Sequence, residues 1–256
     1  MWLRMPDFIS STAPGVISGF IAGYVSALII LRIYKNFNLI IDVFSKSKKL
    51  VNDFNKGCDD IVKDKELTKS SDHSHALVGQ VEQELLIPKD ILNKWGKWFG
   101  IQVRLYVAGY FNQFTIPEQN IFGSSKEQAS QIINKTQTNV KSAWYIRSFA
   151  GDYNPMHTHT DCELTCVGFL KVPDLSKEHK KRHANFNGVL EILNNSGPNE
   201  KAFFENDSIG FSPKVGNWYL FPANIRHGVY PFSCDGERRS FSINMNTSIF
   251  KGVTDQ

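Results

Sequence analysis

Two segments of this 256-residue chain carry side chains able to bind a metal ion. The first runs Asn154-Pro155-Met156-His157-Thr158-His159-Thr160-Asp161. The second runs Phe221-Pro222-Ala223-Asn224-Ile225-Arg226-His227-Gly228-Val229. On a regular strand, side chains at alternate positions share a face. His157, His159 and Asp161 would then point one way, and His227 would add a ligand from a neighbouring strand. His157, His159 and His227 are the expected ligands, with Asp161 as the alternative. Imidazole and carboxylate ligands that leave coordination positions open suit non-haem Fe(II). Zinc is the commoner occupant of three-ligand sites.

Ten residues after His227 begins Glu237-Arg238-Arg239-Ser240-Phe241-Ser242-Ile243-Asn244-Met245. Arg238, Ser240, Ser242 and Asn244 alternate with Arg239, Phe241, Ile243 and Met245. Strand periodicity assigns the polar set to one face and the mostly apolar set to the other. If His227 lines an interior, the polar row lines it too. A buried arginine needs an anion. A carboxylate held by the Arg238 guanidinium, with Ser240 and Asn244 adding hydrogen bonds, would meet that need. Arg239 is the rival candidate by proximity, but its parity pairs it with Phe241 and Ile243.

The elements that must position these groups follow from pattern. Val78 to Ile87 reads as a strand, and Pro88 to Phe99 as a helix with proline in its first turn. A second helix opens at Ser124 or Ser125, with Glu127 near the capping-box position, and runs to about Asn139. Short β segments then follow: Ser142–Phe149, His157–Val172, Gly188–Leu193, Asn217–Phe221, Gly228–Phe232 and Arg238–Asn246, punctuated by Asn, Gly and Pro. The expected fold is mainly β with flanking helices, a double-stranded β-helix or jelly roll. Nineteen Phe suit such a core.

No charged residue occurs between Phe8 and Leu31. Roughly twenty apolar residues span a bilayer, so residues 1–35 are expected to form a transmembrane anchor, in preference to a cleaved signal peptide or a buried helix. Gly15, Gly19 and Gly23 recur at the spacing that lets two such helices approach and self-associate. Arg32, Lys35, Lys46, Lys48 and Lys49 follow the run, which places the C-terminal bulk in the cytoplasm. From 36 to about 63, Leu50, Phe54 and Ile61 share one face of an amphipathic helix. It could skim the membrane, form a stalk, or pack on the domain. Asp64 to His75 reads as a polar linker whose His73 and His75 are solvated. The domain is expected over 76–256, after a 36–75 connecting region. A net charge of +4 is too mild to imply nucleic acid. Cys58, Cys162, Cys166 and Cys234 form no CxxC pair, which suits a reducing compartment.

Between about residues 76 and 248 the chain resembles the 2-oxoglutarate/Fe(II) oxygenases of marine bacteria and cyanophages, relatives of the prolyl-hydroxylase superfamily. The resemblance rests on Ala76-Leu-Val-Gly-Gln-Val-Glu-Gln-Glu84, Ser142-Ala-Trp-Tyr-Ile-Arg147, Gly151-Asp-Tyr-Asn-Pro-Met-His-Thr-His159, Val167-Gly-Phe-Leu-Lys-Val-Pro173, Gly216-Asn-Trp-Tyr-Leu-Phe-Pro222, Ile225-Arg-His-Gly-Val229 and Glu237 to Asn244. It implies Fe(II), 2-oxoglutarate as cosubstrate, and O2. The implied activity is a dioxygenase that couples decarboxylation of 2-oxoglutarate to hydroxylation of a second substrate. His157 and His159 fall on the family's H-x-H, His227 on its distal histidine, and Arg238 with Ser240 on its Arg-x-Ser. The wider superfamily uses His-x-Asp, which His159-Thr160-Asp161 would match in a register shifted by two. Thr165-Cys166 stands where the family has Ser-Gly, adding bulk expected near the pocket.

Trp144, Tyr153 and Trp218 would wall the pocket or sit in the core. His179-Lys-Lys-Arg-His183, in the loop Asp174–Asn187, reads as a solvated basic loop over the mouth. Two other classes stay open: a metal-binding cupin-like module, and a membrane-tethered binding protein with a vestigial site.

Overall fold

The computed structural model describes residues 31–33, 41–44, 48–114, 136–177, 186–193 and 208–248. Among these, two antiparallel sheets form a sandwich with helices on one outer face. The larger sheet comprises β1 (Leu31–Ile33), β2 (Ile41–Phe44), β3 (Gln83–Leu86), β4 (Thr138–Ser148), β6 (Leu164–Lys171), β9 (Asn217–Pro222) and β11 (Arg238–Thr247), ordered β1-β2-β9-β6-β11-β4-β3. The smaller comprises β5 (Asn154–His157), β7 (Leu190–Leu193), β8 (Ser208–Phe211) and β10 (His227–Val229), ordered β5-β10-β7-β8.

β6 and β11 are buried along almost their whole length because both of their faces are covered. Toward the smaller sheet, Val167, Phe169, Tyr219 and Phe221 pack on Leu190, Ile192 and Phe211. Toward the helices, Tyr145, Cys166, Trp218, Phe241, Ile243 and Met245 join a second core. The alternation read along 238–245 is therefore what the strand does: one set faces the sandwich interior, the other the helices.

Helix α1 (Lys48–Lys63) buries Leu50, Phe54, Gly57, Cys58 and Ile61, the stripe that helical spacing brings to one side. Phe54 is completely enclosed, between Phe99, Tyr145 and Phe241. Burying one such ring contributes about 2–3 kcal/mol. A Cβ at Gly57 would run into Ile91 and lie 2.8 Å from the Tyr145 hydroxyl, so glycine is what lets α1 lie this close to the sheet. Of the three roles open to this helix, the structure selects packing on the domain. The side chain of Asn55 also donates to Leu170 O at 3.0 Å. α3 (Lys89–Phe114) lies beside it, tied by Trp95 Nε1 to Asp53 at 3.1 Å and by Lys94 to the same carboxylate at 2.7 Å.

Several expectations are corrected. The expected helix from 36 begins only at Lys48, and Ile41–Phe44 is a strand paired with β9. The expected linker contains α2 (Lys65–Ser71), because Asp64 caps it by accepting from the amides of Glu66 and Leu67. The helix from Pro88 runs on to Phe114. Thr138 and Asn139, placed at the end of a helix, begin β4; most of that expected helix lies outside the described residues. The single strand expected over His157–Val172 is two strands, in different sheets. β1, β2 and β8 were not anticipated.

No helix among the described residues is long and apolar enough to cross a membrane. The expected anchor, with Gly15, Gly19 and Gly23, lies outside the described residues up to 30, whereas Leu31–Ile33 within the 1–35 boundary forms β1. The 178–185 part of the basic loop also lies outside them.

Candidate metal centre and anion pocket

β5 and β10 pair so that His157 and His227 stand directly opposite each other. Their ring centroids are 4.4 Å apart. His159 arrives by a different route. The strand ends at His157, and Asp161 turns the chain with φ of 59°. The backbone amide of His159 donates to Ala223 O at 2.9 Å, and that of Ala223 donates to Glu163 O. This loop folds His159 back onto the pair, its ring parallel to that of His227 at 5.0 Å. The three ligand nitrogens lie within 4.8 Å of one another.

Two of the rings have their tautomer set by the backbone. His157 Nδ1 donates to Pro155 O at 2.7 Å, and His227 Nδ1 to Ile225 O at 3.0 Å. A carbonyl only accepts, so Nδ1 carries the proton and Nε2 keeps its lone pair. Nε2 of His227 lies 3.1 Å from Nε2 of His159. Burial, reinforced by the neighbouring imidazoles, lowers His227 to about 3 and His159 to about 4. Burial also lowers His157, partly offset by its bond to Pro155 O. Three neutral nitrogens aimed at one point are what a divalent ion requires. Asp161, by contrast, is exposed on its turn and outside this cluster. The parity that offered it as a ligand fails because the strand stops four residues earlier.

The rings open onto a cavity of about 790 Å³, its mouth included. Arg238, Ser240, Ser242 and Asn244 line it, as do Trp144, Ile146, Val167, Leu190 and Glu84. Arg238 is 1% exposed, yet its Nε and Nη2 have no partner among the described residues. Its guanidinium lies 5.0 Å over the Phe169 ring. Burial without a counter-charge pulls it down to about 10. Ser242 Oγ and Asn244 Oδ1 are also buried and unpartnered. The guanidinium and the hydroxyl, both donors left unsatisfied in one cavity, are the complement of a bound anion, whereas Asn244 Oδ1 is an acceptor and would need a donor.

Of the suggested wall residues, only Trp144 serves, its ring 5.8 Å from that of His159. Trp218 packs among Trp98 and Phe99 in the helix-side core, and Tyr153 is exposed. Cys166 faces that same helix-side core, so it adds no bulk to the pocket; Thr165 is buried opposite Asn244. His73 is only part-solvated, its amide bonded to Glu84 O and its ring 5.9 Å from Trp144. It is not part of the metal cluster. Glu84 was missed as a cavity residue. The signal was there: Leu85 packs into the helix-side core, so alternation turns Glu84 the other way.

Residues 142–244 match a family described as "Putative 2OG-Fe(II) oxygenase". No curated protein matches the chain. Among solved structures it is similar to a 2OG-Fe(II) oxygenase family oxidoreductase from Burkholderia pseudomallei, at 16% identity and TM-score 0.36, covering 66% of this chain and 64% of that one. It is similar to a Pseudomonas putida prolyl-4-hydroxylase at 12% identity and TM-score 0.46, covering 77% and 85%. It is similar to the α-ketoglutarate-dependent carbocyclase SnoK of nogalamycin biosynthesis at 11% identity and TM-score 0.48, covering 84% and 81%. The matched stretch, 142–244, holds all three histidines and the Arg238 row, and over it this chain is similar to the 2OG-Fe(II) oxygenase family.

Proposed function

We propose that the protein is an Fe(II)- and 2-oxoglutarate-dependent dioxygenase that hydroxylates a second substrate. One observation carries the reading: an unpaired, fully buried guanidinium shares a cavity with three neutral imidazoles. His157, His159 and His227 would hold the metal. Arg238, with Ser240, Ser242 and Asn244, would hold the far carboxylate of the cosubstrate. When bound, iron and 2-oxoglutarate supply the oxidising chemistry, with O2 as co-reactant. The chain supplies binding, orientation and exclusion of water. Three neutral ligands leave the charge of a dication uncompensated, so metal and Arg238 together favour a dianion in this cavity.

A cupin-like module has no use for the buried unpaired arginine, and nothing else in the site favours it. The test is spectroscopic and then chemical. Under anaerobic conditions, Fe(II) and 2-oxoglutarate together should give a weak visible charge-transfer band that neither gives alone. Air should then produce succinate. Metal binding with no band and no succinate would indicate a vestigial site.

The reading extends to location. The uncharged run from Phe8, followed by Arg32 and Lys35, supports a single-pass anchor with the domain on the cytoplasmic side. Gly15, Gly19 and Gly23 support self-association of that anchor. Retention of the full chain in carbonate-washed membranes tests the first, and loss of crosslinked dimer on glycine-to-leucine substitution tests the second.

A further inference from the structure

The cavity has a second end. Glu84 lies on β3 opposite Ile146 of β4, which in turn lies opposite Ser240 of β11. All three therefore share the sheet face that lines the cavity. At about 4.8 Å per strand, Glu84 stands roughly 10 Å from Ser240, well clear of the Arg238 row.

Glu84 is 2% exposed. Burial and the like charge of Asp72 are what act on its carboxyl, and no cation or donor among the described residues offsets them. It is nonetheless held in place. A Cβ on Gly79 would lie 2.6 Å from Glu84 Oε1, so the bare glycine makes the space the carboxylate occupies. The strap from Ala76 to Glu82 is itself fixed. Gln80 and Tyr153 exchange backbone hydrogen bonds at 2.9 and 3.0 Å. Asp152 accepts from the amides of Glu82 and Phe149 at 3.0 and 2.8 Å. Ala76, Leu77 and Val78 of that strap, with Trp144 and Ile146, make an aliphatic and aromatic wall beside the carboxylate.

We propose that this end of the cavity is the subsite for the second substrate and that it takes an aliphatic amine as its ammonium ion, with Glu84 as the counter-charge. The substrate assignment rests on the oxygenase reading above; the amine site itself does not. An enclosed carboxylate is unfavourable unless a cation or donors compensate it. No side chain among the described residues does so, and the repulsive Asp72 lies on the same edge. Burial, with Asp72 adding to it, pushes the Glu84 carboxyl up to about 7, the mark of a missing partner. The Arg238 guanidinium is the opposite case in the same cavity, and the two do not pair with each other. A ligand with an ammonium head and an alkyl body satisfies both the carboxylate and the apolar wall. The Trp144 face adds a surface for the cation.

The probe is n-hexylammonium, with 1-hexanol and hexanoate as neutral and anionic controls of equal length. Each is titrated into the full-length protein, alone and loaded with Ni(II) and 2-oxoglutarate, and followed by saturation-transfer NMR. Hexylammonium should bind at least tenfold more tightly than hexanol. Glu84→Gln, close in shape and still able to hydrogen-bond, should lose that preference while melting at or above the wild-type temperature. Equal binding of ammonium and alcohol, no binding of the ammonium, or undiminished binding by E84Q would each overturn the proposal. Retention of 2-oxoglutarate in the same samples is scored separately. Absence of an amine preference in the wild-type protein with 2-oxoglutarate retained defeats only this subsite, and an amine preference without 2-oxoglutarate retention defeats only the oxygenase reading.

Discussion

Arg238 and Arg239 are adjacent, equally buried at 1% exposure, and opposite in fate. Arg239 faces the helices, where its Nε lies 2.7 Å from Glu237, its Nη2 2.8 Å from Asp59 of α1, and its Nη1 3.2 Å from Asn55. Arg238 faces the cavity with two nitrogens bare. One guanidinium fastens a helix to the sheet. The other keeps two nitrogens without a partner among the described residues. The period-2 geometry of β11 is the whole cause of the difference.

Arg238→Ala should therefore weaken 2-oxoglutarate without removing the metal. A charge-assisted, two-pronged contact to a carboxylate in a dry site is worth about 3–4 kcal/mol when truncated, which is roughly 100- to 1000-fold in affinity. Calorimetry with Ni(II) in place of Fe(II) measures it directly. Arg238→Lys should recover little, because a point charge does not reproduce the guanidinium fork. Unchanged cosubstrate affinity in the alanine variant would remove the anion pocket from the argument.

His227→Ala should abolish stoichiometric metal binding and leave the apo fold in place. His227 is the central member of the cluster, opposite His157 and parallel to His159. Its loss leaves two imidazoles, too few to hold a divalent ion in competition with water at micromolar concentration. Metal analysis after gel filtration reads the outcome. Near-UV circular dichroism of the apo form should match the wild type.

Asp161→Asn should leave metal affinity within about twofold of the wild type. Asparagine keeps the left-handed turn at φ 59°, so the loop that delivers His159 survives. Only the carboxylate charge is lost, and that carboxylate is exposed and outside the cluster. A drop of tenfold or more would mean that the His-x-Asp register operates after all.

The ligands, the arginine row and the sandwich could be read in the chain because each depends on short-range periodicity. Arg238 through Met245 alternate without interruption, and the strand obeys. The route by which His159 reaches the site could not be read that way. It depends on Asp161 leaving the strand region and on amide bonds from residues 159 and 163 to residues 223 and 245, contacts far apart in sequence. The three histidines that the structure brings together were named on the assumption of a strand that does not exist past His157. Glu84 was overlooked for a related reason. It has no counter-charge among the described residues, and that is a property of the packed chain alone. The role of α1 was undetermined because its apolar stripe fits a sheet, a bilayer or a second helix equally well. Only the bonds from Asn55 and Asp59 to Arg239 and Leu170 decide it.

Those bonds make a pH prediction. Burial alone would raise the Glu237 carboxyl, but hydrogen bonds from Arg239 and Arg147 outweigh it and hold it at about 2, below its ordinary 4.5. A carboxyl depressed on folding stabilises the folded state above its unfolded pKa and loses that contribution as pH falls toward the folded value. The interval is therefore pH 4.5 down to about 2. A depression of this size corresponds to about 2–3 kcal/mol after allowance for the partial exposure of the side chain. Glu237→Gln should lower stability in urea by that amount at pH 7, leaving Asp59 as the carboxylate beside Arg239. The gap between the two proteins should narrow below pH 4.5, fall to roughly half its neutral value near pH 3 and close toward pH 2. A gap that stays constant across this range would mean that the glutamate acts through shape and not through its charge.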